Sequence, residues 1–194
     1  SDLSYLIIHE YIEDFYNQNL EEIIQKLLFK KLGVDLTYNP YIKKFTNNIA
    51  PTEIDEYFRY KEINGYVHDM AAAMFGGVSS HAGLFGNSIN VAKVMQMYIQ
   101  KGNYANQQII ESNTINLFNN CYYCEEDNRR GVGFDKPQLE KEGPTCGCVS
   151  MDSFGHSGWT GTFAWADPEQ EIVYVFLSNR SYPSGESAGK SKLV

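Results

Sequence analysis

The residues best suited to chemistry cluster in FGHSGWTGTFAWADPEQEIVYVFLSNR, residues 154–180. Gly155, Gly158 and Gly161 recur at every third position, and His156, Ser157, Thr160 and Thr162 set an imidazole and three hydroxyls among them. Glycine weakens a strand and marks a place where a ligand or another backbone comes close. A strand of this make-up can pair with a substrate's main chain and donate hydrogen bonds to its carbonyl or carboxylate. A Gly-rich bulge at a sheet edge would also account for the glycines.

Other polar side chains invite weaker readings. His81, in SSHAGLF, bonds loop carbonyls or lines a cleft. His68-Asp69 reads as a helix entry with the aspartate as cap. His9 falls on a helix surface and is expected to be solvated. Tyr57-Phe58-Arg59-Tyr60 either lines a groove or stands in solvent. Four cysteines sit as Cys121-x-x-Cys124 and Cys146-x-Cys148. Zinc binding, one or two disulfides and free thiols all remain open, although the second pair is tighter than the usual zinc spacing.

Composition removes several classes. The 194 residues are 43% hydrophobic and 14% aromatic, enough for a sizeable core in one domain or one lobe of a larger one. The net charge of −8, with only short basic clusters such as Lys30-Lys31 and Arg129-Arg130, argues against nucleic acid. No apolar run approaches the roughly 18 residues of a membrane span, and no secretory signal opens the sequence.

The elements that must position these residues follow from periodicity. Leu3, Leu6, Ile7, Tyr11, Ile12 and Phe15 predict a helix from the first residues, capped by Ser1 or Asp2. Asn19, with Glu22 three residues on, predicts a second helix with an apolar stripe of Leu20, Ile23, Ile24, Leu27 and Leu28, ending at Gly33 as its C′ residue. The two should pack as a helical hairpin. Residues 34–67 read as a long connection that lines or covers something. A helical turn over Asp69 to Met74 leads into a Gly-rich loop. Ser88 caps a helix ending at Gly102, Gln107 to Ile110 is a short strand, and Ser112 caps a helix to Phe118. Gly131–Phe134, Phe154–His156, Thr160–Ala166 and Ile172–Ser178 read as strands, with a type I turn at Asp167-Pro168-Glu169-Gln170. IVYVFL is apolar on both faces, so both should be covered by helices. The fold class is α+β: an antiparallel sheet over 131–180, flanked by helices from 1–120.

The stretch GHSGWTGTFAWADPEQEIVYVFLSNR resembles the third active-site motif and following hairpin of the serine β-lactamase and penicillin-binding-protein superfamily. That motif is usually Lys-Thr-Gly or His-Ser/Thr-Gly, and His156-Ser157-Gly158 occupies it. VHDMAAAMFGGVSSHAGLFGNSINVAKVMQMYIQKG is similar to the region between the second and third motifs in the class C and esterase branch. SDLSYLIIHEYIEDFYNQNLEEIIQKLLFKKLGV is similar to the two helices that follow the second motif, commonly Tyr-Ser-Asp or Tyr-x-Asn, whose last two positions Ser1 and Asp2 match. The resemblance covers nearly the whole chain apart from the cysteine-bearing loop.

What the resemblance implies is a β-lactamase/transpeptidase-like domain and a serine hydrolase working through an acyl-enzyme. The Trp159 backbone N–H would be an oxyanion donor. Ser157 would bond the substrate's carboxylate or carbonyl. His156 would stand where lysine is commoner, so that charge there depends on pH. Asp2, Gly158, Thr160 and His81 would border the substrate. No metal and no cofactor is implied; the partner is a small-molecule or peptide substrate. The location would be the bacterial periplasm or cell envelope. The family's Ser-x-x-Lys nucleophile is expected upstream of the second motif. Ser88 to Val91 fails at the fourth position, and Ser187 to Lys190 spells the motif only in a polar tail beyond the last strand. The expectation is therefore a C-terminal part of a single catalytic domain that lacks its N-terminal half and is inactive in isolation. A non-catalytic binding module of the same fold, directed at cell-wall peptides, is the competing expectation.

Overall fold

The computed structural model describes residues 2–44, 48–126, 128–138 and 145–185. Ser1 and the Ser187–Lys190 sequence lie outside the described residues. The chain forms two compact units. One comprises residues 1–87, 159–161 and 178–194, and the other residues 88–158 and 162–177.

The first unit opens with α1 (Asp2–Tyr16) and α2 (Leu20–Ile24). Asn19 caps α2 by accepting the Glu22 N–H at 3.0 Å. A π turn over Gln25–Phe29 then leads into α3 (Lys30–Leu32), which ends at Gly33 with φ 60°. The π turn corrects the apolar stripe expected from a 3.6-residue period. Its wider turn rotates the following positions, so Phe29 and Leu32 are buried while Leu27 is exposed. Another correction concerns α1. Leu3, Ile7, Tyr11 and Phe15, four apart, form its exposed stripe. His9, expected in solvent, is buried instead: Nε2 pairs with Glu13 at 3.0 Å and the ring lies 5.7 Å from that of Phe75.

The long 34–67 connection is built from short pairings. β1 (Thr37–Tyr38) pairs with β4 (Leu84–Phe85), and β2 (Glu53–Asp55) with β3 (Lys61–Ile63), both antiparallel. Between β2 and β3 the buried Asp55 carboxylate accepts the N–H groups of Tyr57, Phe58 and Arg59 and the Arg59 Nε at 2.7 Å. Arg59 also donates to the carbonyls of Val67 and His68. Tyr57, Phe58 and Tyr60 project into solvent, so of this stretch only Arg59 turns inward. α4 (Met70–Met74) is capped by Asp69, which accepts the Ala72 N–H at 2.7 Å.

The second unit holds α5 (Ser88–Ile99), the β5 (Asn103–Tyr104) and β6 (Gln107–Gln108) hairpin, α6 (Ser112–Asn119) and a three-stranded antiparallel sheet. Ser112 is the first residue of α6 rather than its cap; its hydroxyl donates to the Lys101 carbonyl, and Glu111 takes the capping position. The sheet order is β7 (Phe154–Ser157), β8 (Phe163–Asp167), β9 (Ile172–Phe176). Asp167 Oδ1 holds the β8–β9 turn by accepting from Glu169 and Gln170. Met95, Phe154 and Ala166 form the core, with Val91, Tyr98, Phe134 and Val173 against it.

Two sequence expectations fail here. Gly131–Phe134 is a turn closed by the Gly131 N–H on the Phe134 carbonyl, with bridge pairings only at Arg130 and Asp135. β9 is not covered on both faces: Ile172, Tyr174 and Phe176 are exposed, whereas Val173 turns to the core formed with α5. An apolar strand has no polar alternation to declare which face is open, so composition alone could not mark it.

Lys136 is buried between α6 and the loop before β7. Its Nζ donates to Asn119 Oδ1 at 3.2 Å and to the Asp152 carbonyl at 3.0 Å. Burial pushes its ammonium down to about 8, against the pull of Asp152 and Asp167. The unfolded chain therefore holds more protons than the folded one between about 8 and 10.5, and stability rises with pH across that window. Lys136→Met is expected to flatten that limb of a stability–pH curve from chemical denaturation; an unchanged limb would contradict the assignment.

Candidate active site

β7 is an edge strand, and its sequence sets what it presents. Gly155 exchanges both backbone hydrogen bonds with Asp135, at 2.8 and 3.1 Å. A side chain at Gly155 would collide with the Ala164 carbonyl and the Trp165 ring, which is why this position carries none. Alternation along an antiparallel strand then aims the backbone polar groups of Ser157 to the same outer edge. His156 and Ser157 are both exposed, on opposite faces of the strand. The Gly158 N–H closes the hairpin on the Thr162 carbonyl at 2.7 Å. β8 consequently starts at Phe163, not at Thr160, because Gly161 takes φ 89°.

His156 has two neighbours in the same unit. Its Nδ1 lies 2.7 Å from the Ser157 carbonyl and its Nε2 lies 3.0 Å from Arg130 Nη1. Arg130 and Arg129 share the buried carboxylate of Asp135, at 3.2 and 2.8 Å. The expectation that charge at the motif rests on the histidine alone is thus incomplete, since a guanidinium stands beside it. The sequence offered Arg129-Arg130 only as a short basic cluster, and nothing in their spacing from His156 linked them to it.

The first unit holds Trp159 and Thr160. The carbonyl of Trp159 accepts from Arg180 Nε at 3.1 Å and that of Thr160 from the Arg180 N–H at 3.0 Å. Ser178 Oγ donates to the Gly161 carbonyl at 2.8 Å. The backbone is therefore held through its carbonyls, and the Trp159 N–H has no acceptor among the described residues. The Trp159 indole is exposed and stacks on His68, with ring centroids 6.5 Å apart and planes 17° from parallel. His68 is anchored to Glu53 through Nε2 at 2.8 Å.

His81 belongs to a separate cluster. Its Nδ1 lies 2.9 Å from Ser79 Oγ and its Nε2 3.0 Å from Asp69 Oδ1. The order resembles a catalytic relay, but Ser79 is fully buried. Its hydroxyl has no route to a substrate, and the cluster instead ties the Gly-rich loop to the cap of α4. Desolvation raises the Asp69 carboxyl, yet the Ala72 N–H and His81 outweigh it and hold the carboxyl below its usual range. His81→Ala is expected to cost about 1–3 kcal/mol in a denaturation experiment, because buried Ser79 loses its partner. Asp2, in the first turn of α1, is exposed.

Both cysteine pairs are closed as disulfides, Cys121–Cys124 and Cys146–Cys148. That is the second of the three readings their spacing left open. Among the described residues no group of three or more His, Cys, Asp or Glu side chains is placed to hold a metal ion. No described helix is long and apolar enough to cross a membrane.

Comparisons with known proteins bear on the family and the fold. The chain is 32% identical over 94% of its length to a candidate D-alanyl-D-alanine carboxypeptidase of Escherichia coli K12, and 33% identical over the same share to its counterpart in Salmonella enteritidis. It spans 45% of the length of each. Among solved structures, a penicillin-binding-protein homologue from Caulobacter crescentus superposes with a TM-score of 0.58 at 19% identity, over 88% of this chain and 49% of that one. A β-lactamase from Mycobacterium bovis does so with a TM-score of 0.58 at 14% identity, over 98% of this chain and 58% of that one. These likenesses establish an α+β, β-lactamase-like fold. The family model described as Beta-lactamase matches residues 1–194 throughout, and the chain belongs to that family.

Proposed function

We propose that this chain supplies one wall of an acyl-transfer site: the His156-Ser157-Gly158 strand and the Trp159 N–H of a serine hydrolase that acts on an amide or ester carbonyl. The observation that carries the reading is the unoccupied Trp159 N–H, immediately after a motif on an exposed sheet edge. In the reaction a serine hydroxyl attacks the carbonyl and passes its proton to a basic Lys–Tyr pair. The carbonyl oxygen becomes an oxyanion, which the Trp159 N–H meets. The leaving amine or alcohol departs with a proton, and water then releases the acyl group. On this reading the nucleophile and its base come from outside the 194 residues, and the chain spans 45% of the length of the relatives it matches. The carboxypeptidase description of those relatives supports a peptide substrate of the cell-wall type. Two disulfides support an oxidising compartment, the periplasm or cell envelope.

The test compares the 194-residue chain with a polypeptide that joins it to the remaining half of the domain, using a fluorescent fluorophosphonate and a fluorescent penicillin. Labelling of the longer polypeptide only is the expected result. Labelling of neither would replace the hydrolase with a binding module of the same fold. Labelling of the chain alone would place the nucleophile within it and refute the division of roles.

A further inference from the structure

One face of α6 is polar without being charged. From Ser112 to Cys124 the chain carries no Asp, Glu, Lys, Arg or His, in a protein whose net charge is −8. Asn113, Asn116, Leu117 and Asn120, the last at the C-cap, fall three and four apart and so share a face. Ile115 and Asn119 turn the other way. Ile115 is buried, and the Asn119 amide is taken up by Lys136 Nζ and the Asp152 carbonyl. The side-chain amides of Asn113, Asn116 and Asn120 are exposed and have no hydrogen-bond partner among the described residues.

The turn after α6 makes this face a groove. The Cys121–Cys124 disulfide joins positions three apart and ties no second element, so it fixes the Tyr122-Tyr123 turn rather than stapling the fold. Within that turn the Tyr122 hydroxyl donates to the Leu117 carbonyl at 3.0 Å, which lays the phenol along the last turn of the helix. Tyr122, Leu117 and the three asparagines line a shallow groove of about 470 Å³. Tyr122 remains 51% exposed and Leu117 59%.

These groups define what can sit there. Each carboxamide offers two donor hydrogens and an acceptor. Beside an aromatic ring and a leucine, they suit a ligand with a polar rim, an apolar face and no charge. A charged ligand would find no counter-charge on this face. A peptide main chain is recognised at a strand edge or through pockets for its side chains, and a helix whose backbone is already bonded provides neither. A pyranose ring meets the requirement: its axial C–H bonds form an apolar face for Tyr122, and its hydroxyls reach the amides. An acetamido substituent adds a methyl for Leu117 and an amide that pairs with an asparagine side chain. Asn113 to Asn120 spans roughly 10 Å along the helix, the length of a disaccharide.

We propose that the α6 groove binds an uncharged saccharide carrying N-acetyl groups. The inference stands apart from the acyl-transfer reading and uses none of its residues. The 194-residue chain is titrated with tri-N-acetylchitotriose, with cellotriose, and with acetyl-trialanine amide as an uncharged peptide. Binding is followed by NMR at the asparagine side-chain amides and the Tyr122 ring. The expected result is saturable shifts at Asn113, Asn116, Asn120 and Tyr122 with chitotriose, and binding at least about tenfold weaker for cellotriose and the peptide, the effect of one lost amide pairing. Tyr122→Ala is expected to weaken chitotriose by about tenfold or more, and Tyr122→Phe, which keeps the ring, to restore most of the affinity. The Cys121→Ser, Cys124→Ser double variant, which frees the turn, is expected to bind several-fold more weakly. Circular dichroism of each variant confirms that the fold is kept.

Absence of saturable shifts at these residues would overturn the proposal. So would equal binding of cellotriose, which lacks the acetamido groups, or affinity that survives Tyr122→Ala in a folded chain. Tighter binding of the peptide would assign the groove to a polypeptide instead. Failure of the acyl-transfer reading shows up elsewhere, as absence of probe labelling in the joined polypeptide.

Discussion

Asp55→Asn is expected to destabilise the first unit by about 3–5 kcal/mol, the usual consequence of leaving a buried charge without its partner. The Arg59 side chain is 11% exposed and that of Asp55 3%. An asparagine can still accept from the Tyr57 and Phe58 N–H groups. Its amide, however, would turn donors toward a guanidinium that has only donors to give. Urea unfolding monitored by circular dichroism measures the loss. A double variant with Arg59→Met should lose less than the sum of the two single changes, since the second removes the orphaned charge. A loss below about 1 kcal/mol would show that the pair is solvated and inconsequential.

The same carboxylate gives a pH dependence of definite sign. Desolvation raises the Asp55 carboxyl, but the Phe58 N–H, the Arg59 guanidinium and the Tyr57 and Arg59 N–H groups outweigh it and hold it well below the usual carboxylate range. A depressed folded-state value means that the contribution is complete above the unfolded value of about 4 and is lost as pH falls toward the folded one. Asp167, desolvated yet bonded by Ser150, Gln170 and Glu169, acts in the same direction in the second unit. Acid should therefore loosen both units, and Asp55→Asn should flatten the acid limb of the first.

Trp159→Pro is expected to lower kcat by about two to three orders of magnitude in the polypeptide that carries both halves of the domain, the cost of one missing oxyanion donor. Proline removes the N–H and leaves the carbonyl that Arg180 holds. Trp159→Ala keeps the N–H and removes the exposed indole with its stack on His68. Its effect should fall mainly on KM. Thermal unfolding of both variants separates a lost donor from a lost fold. A Trp159→Pro enzyme that is folded and fully active would remove Trp159 from the mechanism.

Much of the architecture was legible because the signals were local. The Asn19 cap, the left-handed Gly33, the Asp69 entry to α4 and the Asp167 turn each depend on residues within a few positions. The β7 strand was legible for a related reason, although the close approach its glycines mark is internal: Gly155 faces the Ala164 carbonyl and the Trp165 ring, and Gly158 faces Thr162. The family resemblance of the same segments agreed with the family model along the whole chain.

Tertiary structure decided everything that joins distant positions. His9 and Leu3 share one helix, yet the ring of Phe75, 66 residues beyond His9, makes the polar residue the buried one. The π turn at Gln25–Phe29 redirected an apolar stripe that a fixed period placed elsewhere. The clearest case is Arg130, which lies 26 positions before His156 and reaches it only through two backbone bridges at Asp135. Sequence determined which chemical groups the edge strand carries. The fold determined that the cation beside them is a guanidinium, because a ladder register is a property of paired backbones that neither segment encodes by itself.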